Sequence, residues 1–153
     1  MKRNLFEKII GSWTLVELLE VPLDGGTTIY PMGRNPKGLI IYNRDGYMSA
    51  QIMNNESKSL DSKNSEDSSN EETDDHYTYL AYSGPFVIDE EKQIVSHTMF
   101  ISLFQKWRNQ TQNRKVYFEN ELLHLETENF RSNSRLVTHK LTWKKAEKSS
   151  TNH

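Results

Sequence analysis

Between Phe86 and Lys144 short β-forming runs are separated by polar turns of two to five residues. Phe86 to Asp89 turns through Glu90-Glu91-Lys92 into Gln93 to Phe104, the longest β run of the chain. A polar connection at Lys106 to Asn113 leads to Arg114 to Glu119, and Asn120-Glu121 turns into Leu122 to Glu128. Arg131 to Ser134 then turns into Leu136 to Lys144. Regular short strands with such turns mark an antiparallel meander, and a meander removes its edges by closing into an up-and-down barrel.

The N-terminal half supplies the remaining strands. Leu39 to Tyr42 and Tyr47 to Met53 flank Asn43-Arg44-Asp45-Gly46, a turn with glycine where positive φ is required. Ser12 to Val21 is rich in strand formers. Trp13, Leu15, Leu19 and Val21 share one face with Glu17, and Thr14, Val16, Leu18 and Glu20 share the other. Pro22 and Asp24-Gly25-Gly26 end that strand, and Thr27 to Tyr30 reads as a further short strand stopped by Pro31. Asn4 with Glu7 three residues on forms a capping-box pattern, with Leu5, Phe6, Ile9 and Ile10 on one apolar face. A helix of two turns at most is expected there, ended by Gly11 and placed to plug one end of the barrel. A second capping box, Ser69-x-x-Glu72, with Tyr77, Leu80 and Ala81 at helical spacing, predicts a short helix over Glu71 to Tyr82. The competing assignment is a tyrosine-rich strand over Tyr77 to Ser83. In all, eight to nine strands and two short helices are expected in one all-β domain spanning residues 1–153. Residues 146–153 form a polar tail.

Apolar residues are only 35% of the 153, and one segment explains much of the deficit. Asn54 to His76 contains a single apolar residue, Leu60, and eight acids against two lysines. It therefore carries −6 of a chain whose net charge is −2, and without it the apolar fraction rises to roughly 41%, near ordinary globular usage. Such a tract buries too little surface to offset its ordering entropy, so a flexible insertion is expected, with an acidic interaction segment as the functional alternative.

The charge balance, 19 Lys plus Arg against 21 Asp plus Glu, offers no footprint for nucleic acid or an anionic membrane. With no cysteine, disulfides and thiolate metal sites are excluded. His76, His97, His124, His139 and His153 are scattered, so no metal site is expected. Neither a phosphate-binding glycine loop nor a nucleophile elbow is present. The first ten residues lack an apolar run of secretory length, and no segment reaches membrane-spanning length, so a cytoplasmic chain is expected.

Seven segments, in order over about residues 5 to 145, resemble the bacterial and fungal lipocalin-like domain family. They are Gly11-Ser12-Trp13-Thr14-Leu15-Val16, Tyr30-Pro31-Met32-Gly33, Gly38-Leu39-Ile40-Ile41-Tyr42 and Asp45-Gly46-Tyr47-Met48-Ser49-Ala50-Gln51 in the first half. Tyr79-Leu80-Ala81-Tyr82-Ser83-Gly84, Val95-Ser96-His97 and Leu141-Thr142-Trp143 follow. The resemblance implies a compact lipocalin or calycin-like barrel whose pocket takes a small, apolar molecule, and it carries over no catalytic residue. Gln105-Lys106-Trp107-Arg108-Asn109 departs from the proline-containing, glycine-ended turn of relatives, where only Trp107 and the later Arg114 persist. In lipocalins a basic side chain packs over the Gly-x-Trp aromatic, a role open here to Lys144 or Arg114.

Five side chains are the candidate ligand contacts. His97 shares a face with Val95, Met99, Ile101 and Leu103, an ionisable ring in an apolar stripe that could donate to a ligand or shuttle a proton. The plain alternative is a core histidine satisfied by a neighbouring hydroxyl or carbonyl. Arg114 shares a face with Val116 and Phe118, and a guanidinium inside a barrel must be paired or must bind an anion. Glu17 is the internal partner expected for it, and a ligand carboxylate is the other. Tyr42, Tyr82 and Trp107 could line a pocket that is apolar with a few hydroxyls, or could be plain core. The leading expectation is a monomeric or weakly dimeric barrel, without cofactor, binding a small hydrophobic molecule with a carboxylate or carbonyl near His97 and Arg114. An enzyme of cyclase, isomerase or hydrolase type using His97 as acid or base is the alternative. A third reading makes the acidic segment a docking site for a basic protein.

Overall fold

The computed structural model describes residues 4–55 and 78–148. A one-turn helix, α1 (Leu5–Ile9), precedes ten strands. These are β1 (Gly11–Pro22), β2 (Lys37–Tyr42), β3 (Tyr47–Met53), β4 (Tyr79–Asp89) and β5 (Ile94–Thr98), then β6 (Ile101–Ser102), β7 (Thr111–Glu119), β8 (Leu122–Thr127), β9 (Phe130–Ser132) and β10 (Arg135–Lys145). Strands β1, β2, β3, β4, β5, β7, β8 and β10 pair antiparallel in that order, and β10 pairs back onto β1. The result is a closed barrel of eight strands. Two short strands lie off the ring: β6 on β4 beyond the end of β5, and β9 on β10.

Local sequence accounts for the turns. Gly46, at φ 95°, closes the β2–β3 hairpin with its N–H on the Asn43 carbonyl. Asn120-Glu121 and Asn133-Ser134 each place two consecutive residues at positive φ, the two-residue turn whose twist matches the flanking strands. All three tight connections of the ring (43–46, 90–93 and 120–121) lie at the α1 end. The long ones among the described residues (23–36, 99–110 and 128–134) gather at the opposite end. The first of these buries Met32 in the core.

Helix α1 plugs its end as expected. Asn4 Oδ1 accepts from the Glu7 N–H, and the Glu90 carboxylate accepts from the free N–H groups of Leu5 and Phe6. Leu5 and Ile9 turn into the core, and Phe6 stacks on Phe86. The Trp13 indole donates to the Ile9 carbonyl at 2.9 Å. The basic group over Trp13 is Lys145, not Lys144 or Arg114. Its ammonium lies 4.5 Å from the ring and also donates to the Ile10 carbonyl.

The structure revises four expectations. The helix assigned to Glu71 to Tyr82 is strand β4 from Tyr79 onward, where Leu80, Tyr82, Gly84 and Phe86 point inward with period two. The earlier part of that assignment lies outside the described residues, as does the acidic segment beyond Asn55. Thr27 to Tyr30 makes only one bridge, Ile29 to Glu20. The single run Gln93 to Phe104 is broken after Thr98. The chain crosses Gly84 there, and Ile101 and Leu103 become exposed instead of continuing the His97 face. Finally, a β-bulge between Leu15 and Glu17 flips the alternation of β1. Trp13 and Leu15 face inward before it, and Leu18, Glu20 and Pro22 after it.

Candidate functional site

Strand register brings four of the five sequence candidates into one region of the barrel wall. His97 on β5 faces Phe86 on β4 and Gln112 on β7. Arg114, two residues along β7, keeps to the same inner face and sits between Val95 and Thr127. Tyr82 comes from β4, and Tyr42 reaches across from β2 with its ring edge-on to Phe86 at 4.9 Å.

His97 is fully buried with both ring nitrogens engaged. The Tyr42 hydroxyl is 2.7 Å from Nε2, and the Tyr82 hydroxyl is 3.3 Å from Nδ1. Burial, with the positive Arg114 adding to it, holds His97 well below the usual histidine range, so the ring is neutral. Burial and the neighbouring Tyr82 push Tyr42 well above the usual phenol range, against an opposing pull from Arg114. A neutral imidazole has one donor and one acceptor, so its two tyrosines play different parts. One ring nitrogen therefore accepts from its tyrosine hydroxyl while the other donates to its own.

Arg114 is 9% exposed. Its guanidinium donates to Gln112 Oε1 at 2.9 Å and to the Asn113 carbonyl at 3.3 Å, both neutral acceptors. Among the described residues no carboxylate pairs with it. Glu17, the partner expected from the sequence, follows the β1 bulge and so leaves the inner face. Trp107 sits half-buried in a 3-10 turn, Gln105–Trp107, in the connection after β6. Its ring meets that of Tyr82 edge-on at 6.1 Å.

Three polar features of the interior escaped the sequence reading. Gln112 holds the Arg114 fork. Glu20, brought inward by the bulge, accepts from His139 Nε2 at 2.9 Å, with the two side chains 10% and 16% exposed. Trp143, 1% exposed between Leu15 and Leu123, has an indole N–H without a hydrogen-bond partner. Only the inward period of β10 could have flagged Trp143, and nothing in a one-dimensional pattern marks an unpaired donor.

A separate concavity of about 520 Å³ opens where β2 diverges from β1. Leu15, Lys37, Leu39, Ile52, Tyr79 and Lys144 are among its lining residues, and none of the five candidates touches it. The described residues contain no cluster of three or more His, Asp or Glu side chains able to hold a metal. No helix among them is long and apolar enough to cross a membrane. A family model described as a lipocalin-like domain matches residues 10–146. No curated protein matches the chain.

Proposed function

The chain belongs to the lipocalin-like domain family, and on that premise we propose that its barrel interior binds one small, mostly apolar molecule. The observation that carries this is Trp143, whose indole N–H is buried in the core without an acceptor among the described residues. An orphaned donor costs about 1–3 kcal/mol, which an acceptor atom on a bound molecule would relieve. The Tyr82 hydroxyl, beside Trp107, and the Arg114 guanidinium add polar groups toward the end with the long connections. Leu123, beside Trp143, and Thr127, beside Arg114, are four residues apart on β8, about 13 Å, so a ligand meeting both would be elongated. An enzyme using His97 as acid or base is less favoured, because both ring nitrogens already have tyrosine partners.

Native mass spectrometry of gently purified protein, followed by titration with N-phenyl-1-naphthylamine, tests the proposal. A retained small molecule, or saturable probe binding with a change in tryptophan emission, is expected. Absence of both overturns it.

A further inference from the structure

We propose that the barrel ligand is an organic carboxylate, seated on the guanidinium of Arg114. This deepens the binding reading above and rests on it.

Charge bookkeeping around Arg114 carries the inference. Its cross-strand neighbours on the inner face, Val95 and Thr127, are uncharged. The carboxylates of nearby strands have other partners: Glu20 meets His139, Glu126 accepts from Tyr117, and Glu128 accepts from Asn113. His97 is no counter-ion either, since an imidazole is neutral or cationic. Gln112 and Asn113 satisfy two of the five guanidinium N–H donors and none of the charge. A buried cation left this way costs several kcal/mol, and the planar fork matches a carboxylate with two parallel hydrogen bonds. A neutral carbonyl would supply an acceptor without a counter-charge. Arg114 is also the only buried cationic side chain among the described residues. That single charge suits a monoanion, whereas a phosphate dianion would call for a second cation.

Two acid–neutral pairs test this at pH 7.5: cis-parinaric acid against its methyl ester, and 2-naphthoate against 2-naphthamide. Each is titrated into the wild-type full-length protein and into Arg114→Gln. In at least one pair the wild-type protein should bind the acid at least tenfold more tightly than its neutral partner. Arg114→Gln should remove that preference, weakening the acid far more than its neutral partner. If Arg114→Gln does not fold, the wild-type comparison decides alone. Equal affinity for acid and neutral partner, or an acid preference that survives Arg114→Gln, overturns the carboxylate assignment and leaves barrel binding standing. Binding of neither member of either pair, together with no binding of N-phenyl-1-naphthylamine, overturns both.

Discussion

The Tyr42 hydroxyl lies 2.7 Å from Nε2 of His97, and both residues are shut off from solvent inside the barrel. They come from strands 55 residues apart in sequence. Together with Tyr82 on Nδ1 they form a directional chain of hydrogen bonds in which a neutral imidazole links two phenols. The Tyr82 ring in turn meets that of Trp107 edge-on, so the bonds that satisfy the buried imidazole also hold this aromatic contact in place.

Tyr42→Phe removes the shorter of those bonds and leaves a buried imidazole nitrogen unsatisfied. A loss of about 1–3 kcal/mol in unfolding free energy is expected from chemical denaturation. Tyr82→Phe should cost less, because its contact is longer at 3.3 Å. In a double-mutant cycle, Tyr42→Phe should cost little once His97→Leu is present.

His97 makes stability depend on pH in a defined direction. Its folded-state value lies well below the unfolded value of about 6.5, so the unfolded chain binds the extra proton between the two. The contribution is complete above about pH 6.5 and is lost as pH falls toward the folded value. The slope should reach at most about 1.4 kcal/mol per pH unit. Denaturation midpoints between pH 7.5 and 5 should fall for the wild type, and the curve for His97→Gln should be flatter over that window.

Much of the barrel was legible because its signals are local. The Asn43 to Gly46 turn and the Asn120-Glu121 turn carry their backbone geometry in their own residues. The misses are non-local. The Val16-Glu17 bulge has no marker in the strand itself, and by flipping the face it removed Glu17 as a partner for Arg114 and brought Glu20 inward. The residue types of the site could be read from the sequence, since a histidine and an arginine on apolar faces are conspicuous. Their partners depended on register, so Tyr42 on Nε2 and, among the described residues, the absence of a carboxylate at Arg114 emerged only in three dimensions. The described end of the helix expected over Glu71 to Tyr82 is strand from Tyr79 because Leu80, Tyr82, Gly84 and Phe86 satisfy period two, and sheet burial outweighs the spacing of Leu80 and Ala81.

Gly84 is the local cause of the break after β5. A Cβ built there would stand 1.8 Å from the Thr98 carbonyl oxygen and 2.9 Å from the Phe100 nitrogen, both backbone atoms that cannot swing away. Gly84→Ala should therefore destabilise by about 3 kcal/mol, the upper end of ordinary single-residue effects. Gly25→Ala is the control: its φ of 89° is unfavourable but nothing lies within 4 Å, so about 1 kcal/mol is expected. Comparable losses for the two variants would show that close approach at Gly84 does not set the strand break.

Glu20 and His139 tie β1 to β10 near the Pro22 end of the barrel seam, and their pairing should govern stability at lower pH than His97 does. The His139 hydrogen bond, then the His139 charge, Ser132 and Arg135, lower the Glu20 carboxyl below its ordinary value of 4.5, against an opposing effect of burial. A depressed carboxyl contributes stability that is present above the unfolded value and is lost as pH falls through the folded one. Unfolding free energy should therefore decline as pH falls below about 4.5 in a way that Glu20→Gln abolishes, while the His97 limb at higher pH stays in place. Isothermal denaturation of the wild type, Glu20→Gln and His97→Gln across both windows separates the two groups. An acid limb unchanged in Glu20→Gln would mean that the seam is held by the β1–β10 backbone ladder without help from this pair.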